Sequence, residues 1–596
     1  MKKQYNGKKL RYGSSSAILT AAIVATAVLL NVCVSALSGI ASWMYLDMTA
    51  EDMYTVSDEC FELLETEAIT MVDEIRAYNK EYNENGGRPS DSGSGLPSEE
   101  EDAETEFVAR DENITINIYF MDDRDVLLES SSMHYVLNTA LEIEKKFPEY
   151  VKVSHINIDK NPSAVQKFLT TSLSTIEKTD VVVEFGTEFR LIGQTRFFFL
   201  DSTTNEVTAY NGEKQFASAI LAVTRAESPI CLVDMAHGEA FHDYSLLYTL
   251  EDAGFEIAST KEYLTDETIK NVEEEYGGDV RLILIYNPNS DFLVSRTDAG
   301  GNAVSDIDEI DTLDRFLDGK SSMMVFMSPQ SPVLPNLEEY LEEWGISFDR
   351  HTEGNSVSPY MIKDTANSLT SDGFSPVAQY VTTGLGGQIT SDMRNVSFPK
   401  KLIFRNAMSI SYSNTYQKTT YDPSNSDDTS VEASSEPYVY GSYYSNGVSR
   451  TIYDLFVSSS DAVAMANGKT VASAGEYDPF RFMTVSCEMR LTQEDNYGAS
   501  TVQENSYVIA CGSTDFATEA YLQSAVYGNT DFLLSALTVI GREPVPVGLI
   551  HKAFGDYSID SLTTSAATAW TVALTAIPTV AALVTGVVIL VKRKYA

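Results

Sequence analysis

Two long apolar runs stand near the ends of the chain. No residue between Tyr12 and Leu46 is charged, and Ala17–Met44 is mostly Ala, Val, Leu and Ile; Leu562–Val591 is also uncharged. About 20 apolar residues in a helix cross the ~30 Å hydrocarbon core of a bilayer, and a helix satisfies its own backbone polar groups there. The pattern predicts membrane helices over 17–44 and 562–591. The first run exceeds the roughly 7–15 apolar residues of a cleaved signal peptide, and no A-x-A site closes it. It reads as a retained anchor.

Between these runs the period changes several times. Leu63, Leu64, Ile69, Val72 and Ile75 recur at helical spacing in Glu62–Tyr78. Asn83–Glu106 loses all periodicity and collects Gly, Pro and the acidic run Glu99–Asp102, so 45–112 reads as a juxtamembrane helix and a disordered acidic linker. Strand-like alternation follows at Asn113–Phe120 and Val151–Ile158, with a helix at Ser131–Phe147 between them. A short helix at Asn161–Leu169 precedes a hairpin of Asp180–Phe185 and Glu188–Ile192. Phe197–Leu200 adds a strand and Glu213–Arg225 a closing helix. This β-α-β-α-β-β-α order resembles a thioredoxin-like module over 113–226. It lacks redox cysteines: Asp122, Asp123, Arg124 and Asp125 follow the first strand, and Thr179 precedes the third.

Short apolar strands at Ile230–Met235, Val280–Tyr286 and Met323–Met327 then alternate with helices at Phe241–Ala253, Ile307–Leu317 and Asn336–Trp344. That alternation predicts a doubly wound parallel sheet. Arg481–Met489, Tyr507–Cys511 and a helix over Asp531–Ile540 complete an α/β domain spanning 227–560. Ser328–Phe480 carries a large insertion, irregular over Thr352–Ser449.

Charge orients the chain. Lys2, Lys3, Lys8, Lys9 and Arg11 precede the first apolar run, and Lys592, Arg593 and Lys594 follow the second. Short Lys/Arg-rich flanks stay cytoplasmic. The basic head 1–16 and tail 592–596 are therefore inside, with the main domain extracytoplasmic and the protein a two-pass cell-membrane protein. Setting aside those eight cations leaves 34 basic against 86 acidic residues, a net −52 outside the membrane. Such a surface repels nucleic acid and anionic lipid. The five cysteines include no C-x-x-C pair, and Cys231, Cys487 and Cys511 sit in strand-like runs as small apolar residues. Cys60, close beyond the outer interface, is expected to react with an impermeant thiol reagent if it is reduced, a pairing of Cys60 being left open by the sequence.

The sharpest local motif is Asp234-Met235-Ala236-His237-Gly238-Glu239, which follows a buried strand and reads as opening a helix. Open α/β sheets bind ligands at the carboxyl ends of their strands. His237, Glu239, His242 and Asp243 have plausible metal-ligand spacing. The plainer reading has Gly238 permitting a turn and Glu239 complementing a helix dipole at a solvated rim, and with it no metal and no cofactor is expected. Further rim loops are Asn287–Asp291, Ser328–Pro332 and Gly512–Phe516. The candidate binding residues are His237, Gly238, Glu239, Asn287 and Asp515; no catalytic residue is assigned. Gly468-Lys469-Thr470 imitates the end of a phosphate loop, but Val463 stands where its first glycine belongs.

Taken together, the layout resembles the auxiliary extracytoplasmic component of ABC-2-type transport systems, the gliding-motility GldG-like family. The resemblance rests on the Asp47-Met48-Thr49 to Tyr54-Thr55-Val56-Ser57 entry after the anchor, and on His237-Gly238-Glu239. It rests also on Asn287-Pro288 with Leu313–Lys320, on Gly512–Phe516 with Gly528–Leu533, and on the C-terminal anchor with Pro578 and its Lys-Arg end. Ala236 and Asn287 stand where the family has Gly, and Lys320 where a second Gly is usual. The resemblance implies an amidotransferase-like α/β domain without its nucleophile, Ser328 standing after Met327. It implies a non-catalytic membrane subunit beside an ABC-2-type permease and, through it, a cytoplasmic ATPase. The alternatives are an envelope hydrolase acting at the His237–Asp243 rim, or a passive surface sensor or adhesion protein.

Overall fold

The computed structural model describes residues 53–85 and 109–554, except for short internal stretches, the longest being 414–438. Both expected membrane helices, the basic ends and most of the acidic linker lie outside the described residues. Among the described residues no helix is long and apolar enough to cross a membrane. The protein is mixed α/β, with sheets of parallel and antiparallel strands.

The helix expected after the first apolar run is real, but it does not stand apart. Helix α1 (Asp58–Leu63) continues through a π-helical stretch, Leu64–Ile69, into α2 (Thr70–Glu84). Ser57 caps it, its hydroxyl accepting from the Cys60 amide. Arg76 donates to the carbonyls of Ile114 and Glu149, fastening α2 to the first α/β module. Cys60 is wholly buried, and burial, with the Glu213 charge, pushes its thiol up. The expectation of an accessible Cys60 fails because the amphipathic helix packs its apolar side on the module.

That module contains β1 (Ile116–Phe120), α3 (Arg124–Glu129), α4 (Met133–Lys146), β2 (Val151–His155), β3 (Val181–Phe185) and β4 (Glu188–Ile192). The strands form a sheet in the order β2-β1-β3-β4, with β1 and β2 parallel and β3 antiparallel to both β1 and β4. A 3₁₀ turn at Pro162–Phe168 brings Phe168 against Tyr119 and Phe189. Next, β5 (Phe198–Leu200) and β6 (Val207–Tyr210) pair with each other in a separate small sheet.

Helix α5 (Gly212–Thr224) is buried at every position. A helix apolar on one face only cannot be covered all round unless its polar side chains find partners. Here they do: Lys214 pairs with Asp531, Gln215 with Asp252, Ser218 with the Asp252 carbonyl, and Glu213 with Lys552. Through α5 the two α/β modules pack as one compact unit.

The second module contains β7 (Ile230–Asp234), α6 (Ser245–Asp252), β8 (Glu256–Thr260), α7 (Asp266–Tyr276), β9 (Val280–Tyr286), α8 (Glu309–Asp318), β10 (Ser322–Phe326) and α9 (Pro335–Glu343). Then come β11 (Ile346–Phe348), β12 (Ile410–Tyr412), β13 (Val448–Val457), β14 (Arg481–Gln493), β15 (Thr501–Cys511) and α10 (Asn529–Gly541), after which β16 (Lys552–Ala553) returns to pair with β6. Its central sheet has eleven strands among the described residues. The run β15-β10-β9-β7-β8 is parallel. Beyond β15 the sheet turns antiparallel, through β14 to β13 and, at its end, to β12 and β11. The expected parallel sheet is thus only half of a mixed one. The long β14–β15 hairpin and strands from the insertion extend it, because a hairpin connection makes neighbours antiparallel.

Both faces of the sheet are covered. Leu282, Leu284 and Tyr286 pack with Leu246 and Leu250 of α6 and Phe532 and Leu537 of α10; Ile283 and Ile285 pack with Leu313 of α8 and Leu337 and Leu341 of α9. Each of these fully buried aliphatic side chains contributes roughly 1.5–3 kcal/mol. Gly468 belongs to no phosphate loop: Asn467 and Gly468, both with positive φ, form the two-residue turn of a hairpin.

Candidate functional site

The loops after β7, β9, β10 and β15 leave parallel neighbouring strands at their carboxyl ends, so they share one rim of the sheet. Hydrogen bonds tie them in sequence. The His237 carbonyl accepts from the amides of Asn289 and Ser290, and the Gly238 carbonyl from the Asn289 side chain at 2.6 Å. Asn287, at φ 53°, accepts from the Ser328 and Ser331 hydroxyls at 2.9 and 2.7 Å. Asp515 accepts from Asn406 at 2.8 Å and lies 3.7 Å from both His242 and Arg405.

The chain turns sharply after β7. Gly238 has φ 78°, which an L side chain rarely adopts, and an added Cβ would also touch Asn289. The turn folds Glu239 back, so that its Oε2 accepts from the His237 amide at 2.8 Å. The expected helix begins only at Ser245, where Asp243 accepts from the Ser245 amide. Glu239 therefore complements no helix dipole.

His237 and Glu239 are not on a solvated surface either. His237 is 1% exposed, and its ring stacks on buried Phe292 at 3.9 Å. Its Nδ1 lies 2.9 Å from Asp234 Oδ2 and its Nε2 3.0 Å from Glu309 Oε2. Glu309 sits at the start of α8 and also accepts from the amides of Leu264 and Leu293, both at 2.8 Å. A ring facing a carboxylate at each nitrogen is held as the imidazolium, donating both ways. Burial opposes that charge most strongly. The hydrogen bonds and charges of Asp234 and Glu309 together outweigh it and push His237 up to about 10. Burial and the Asp234 charge push the Glu239 carboxyl up to about 7, against the backbone amides and His237.

Three of the chosen residues, His237, Gly238 and Glu239, come together. Asn287 and Asp515 belong to other contacts along the rim. The metal-spacing set divides: His242 turns toward Thr514 and Asp515, while Asp243 accepts from the Glu519 amide. Asp234 takes their place, and the donor atoms of Asp234, His237 and Glu239 all lie within 4.8 Å of one another. Sequence reasoning missed Glu309 because it is 72 positions from His237. The one signal was its place on the first turn of a helix beginning after a rim loop.

A scan against protein-family models found no match for this chain, and a search of curated proteins found none either. The fold and the site together define a mixed α/β protein whose sheet rim is cross-linked loop to loop around a buried His237 ring.

Proposed function

We propose that this chain is a non-catalytic, membrane-anchored auxiliary subunit of an ABC-type transport system, presenting its extracytoplasmic domain beside an ABC-2-type permease. The observation that carries the reading is the meeting, at Glu213, of the two segments that lead toward the expected membrane helices. Ser57 donates to it from its amide at 3.1 Å and its hydroxyl at 2.5 Å, Lys552 pairs with it at 2.7 Å, and Lys552 also reaches the Thr55 carbonyl. Roughly ten residues separate either end from its expected membrane helix, a reach of at most about 35 Å. Both tethers thus begin at one place on the domain, which suits a protein anchored twice in one membrane.

The finer fold reading has support as well. The four-stranded sheet with its third strand antiparallel suits a thioredoxin-like module. The parallel half of the large sheet, covered on both faces, suits an amidotransferase-like domain. Asn287 occupies left-handed backbone, which Gly and Asn tolerate best, so its departure from the family's Gly-Pro keeps the local turn. A non-catalytic role is favoured over hydrolysis because His237 is buried with both ring nitrogens engaged. The Ser328 hydroxyl is likewise spent on Asn287 of the neighbouring loop.

Co-expression with the neighbouring genes tests the reading. The full chain should co-purify with a multi-span permease, and a chain lacking 17–44 and 562–591 should recover much less of it. Absence of any permease from the full-chain preparation would refute the subunit reading; equal recovery without the two segments would refute assembly through the membrane.

A further inference from the structure

The cluster at the β7 turn holds one atom that the rest of the site leaves unexplained. Glu239 Oε1 is buried, with its side chain wholly inaccessible, and accepts no hydrogen bond; it faces His237 Nδ1 at 3.7 Å. The other face of the gap is Asp234 Oδ2, 2.9 Å from the same nitrogen. We propose that Asp234 Oδ2, His237 Nδ1 and Glu239 Oε1 form a binding site for a divalent transition metal, zinc being the best fit.

Spacing and anchoring both favour it. Tetrahedral zinc with bonds of about 2.0–2.1 Å holds its ligand atoms roughly 3.3 Å apart, and the two separations to Nδ1 bracket that value. One imidazole with two carboxylates matches zinc better than magnesium or calcium, which prefer oxygen alone. Each ligand is also pinned by its remaining polar atom. Asp234 Oδ1 accepts from the Ala236 amide at 3.0 Å, Glu239 Oε2 from the His237 amide, and His237 Nε2 donates to Glu309. Carboxylate–histidine–metal is the usual arrangement around a metal-bound imidazole. Glu309, itself held by two backbone amides, is the positioning residue that fixes the ring and its tautomer. Binding replaces the proton on Nδ1: the nitrogen lone pair goes to the metal and the proton to solvent, while Nε2 keeps its own. The metal would tie the end of β7 to the turn that follows it and, through the Nε2–Glu309 hydrogen bond, to the start of α8.

The test uses the full chain in detergent, purified from zinc-supplemented cells without chelator, with metal per chain measured by mass spectrometry. Glu239→Gln removes the charged donor but can keep the bond from the His237 amide, and circular dichroism checks its fold. His242→Ala is the control at the exposed rim cluster. Wild type and His242→Ala should each carry about one zinc. Glu239→Gln and Asp234→Asn should lose it, and Glu309→Gln should weaken zinc affinity about 10–100-fold. A metal-free wild type that also takes up no added Zn²⁺ after chelation and refolding would overturn the proposal. So would full zinc content in a folded Glu239→Gln, or loss of zinc in His242→Ala alone.

Discussion

Replacing Glu213 with Ala opens the joint at which the two ends of the domain meet, and the structure sets the size of the effect. Glu213 is 4% exposed, accepts two hydrogen bonds from Ser57 and pairs with Lys552. A hydrogen bond to a charged group contributes about 1.5–3 kcal/mol, and removing one partner of a buried ion pair costs about 3–5 kcal/mol. These terms overlap, and part of Lys552 can reach water, so about 3 kcal/mol is a fair working value for release of the segment around Ser57. Cys60 reports that release directly, because it is wholly buried beside the Glu213 carboxylate and its amide donates to Ser57 Oγ. If the thiol reacts only from the opened form, 3 kcal/mol corresponds to roughly 100-fold faster labelling. The assay is peptide-resolved alkylation of the full chain in detergent, with Cys231 and Cys511, both buried in the large sheet, as internal references. Cys60 labelling should accelerate while the references hold still. An unchanged Cys60 rate, or a Cys60 that labels at once in the wild type, would refute the reasoning.

Two further outcomes follow from the same kind of accounting. Burial and the charges of Lys400 and Lys214 push His551 down to about 4. The folded state therefore binds fewer protons than the unfolded one, and stability from this group falls as pH drops from about 6.5 to about 4, by up to about 3 kcal/mol. Glu239, raised to about 7, runs the opposite way over part of that range. The check is thus a difference: His551→Gln should gain stability relative to wild type in urea titrations between pH 7.5 and 4.5, and a pH-independent difference would contradict it. In the large sheet, Arg450 lies 3.9 Å over the Trp344 ring and donates to Glu488 at 2.6 and 3.0 Å, both side chains being buried. Arg450→Met should cost about 3–5 kcal/mol in urea unfolding by stranding Glu488, and the Arg450→Met/Glu488→Leu double variant should recover most of the loss; equal losses in both would show that the charge pair is not what matters.

The sequence was most legible where strands are covered on both faces. Val280–Tyr286 was bounded to the residue because a near-continuous apolar run between Gly278 and Asn287 has few other readings. Strand β8 and helix α7 went unread. Edge strand β8 exposes Ser259 and begins with Glu256, while α7 buries only Thr268 and Val272, so neither has a strong apolar period. Strand β13 was hidden by its setting: it begins inside a Ser- and Tyr-rich stretch, and its membership of the sheet depends on pairing with β14. At the site, the motif around His237 stood out, but its burial did not. That burial is supplied by Phe292 and Glu309, which arrive from other loops, and no local pattern encodes it. Asn287 directly follows β9 and Asp515 lies in the loop after β15, so both fall at the carboxyl ends of parallel strands.

Strand β15 lies between β10 and β14, pairing Tyr507–Cys511 with Ser322–Phe326. The middle of the sheet is therefore closed only long after its first strands have been made. Once Phe326 has been made, roughly 180 further residues must follow before its partner exists, about 10–40 s at ordinary rates of translation. During that interval the apolar edge of β10 is an open template for other strands. Mutations that slow closure of the β14–β15 hairpin should therefore appear first as lost yield, with the protein that does mature behaving normally.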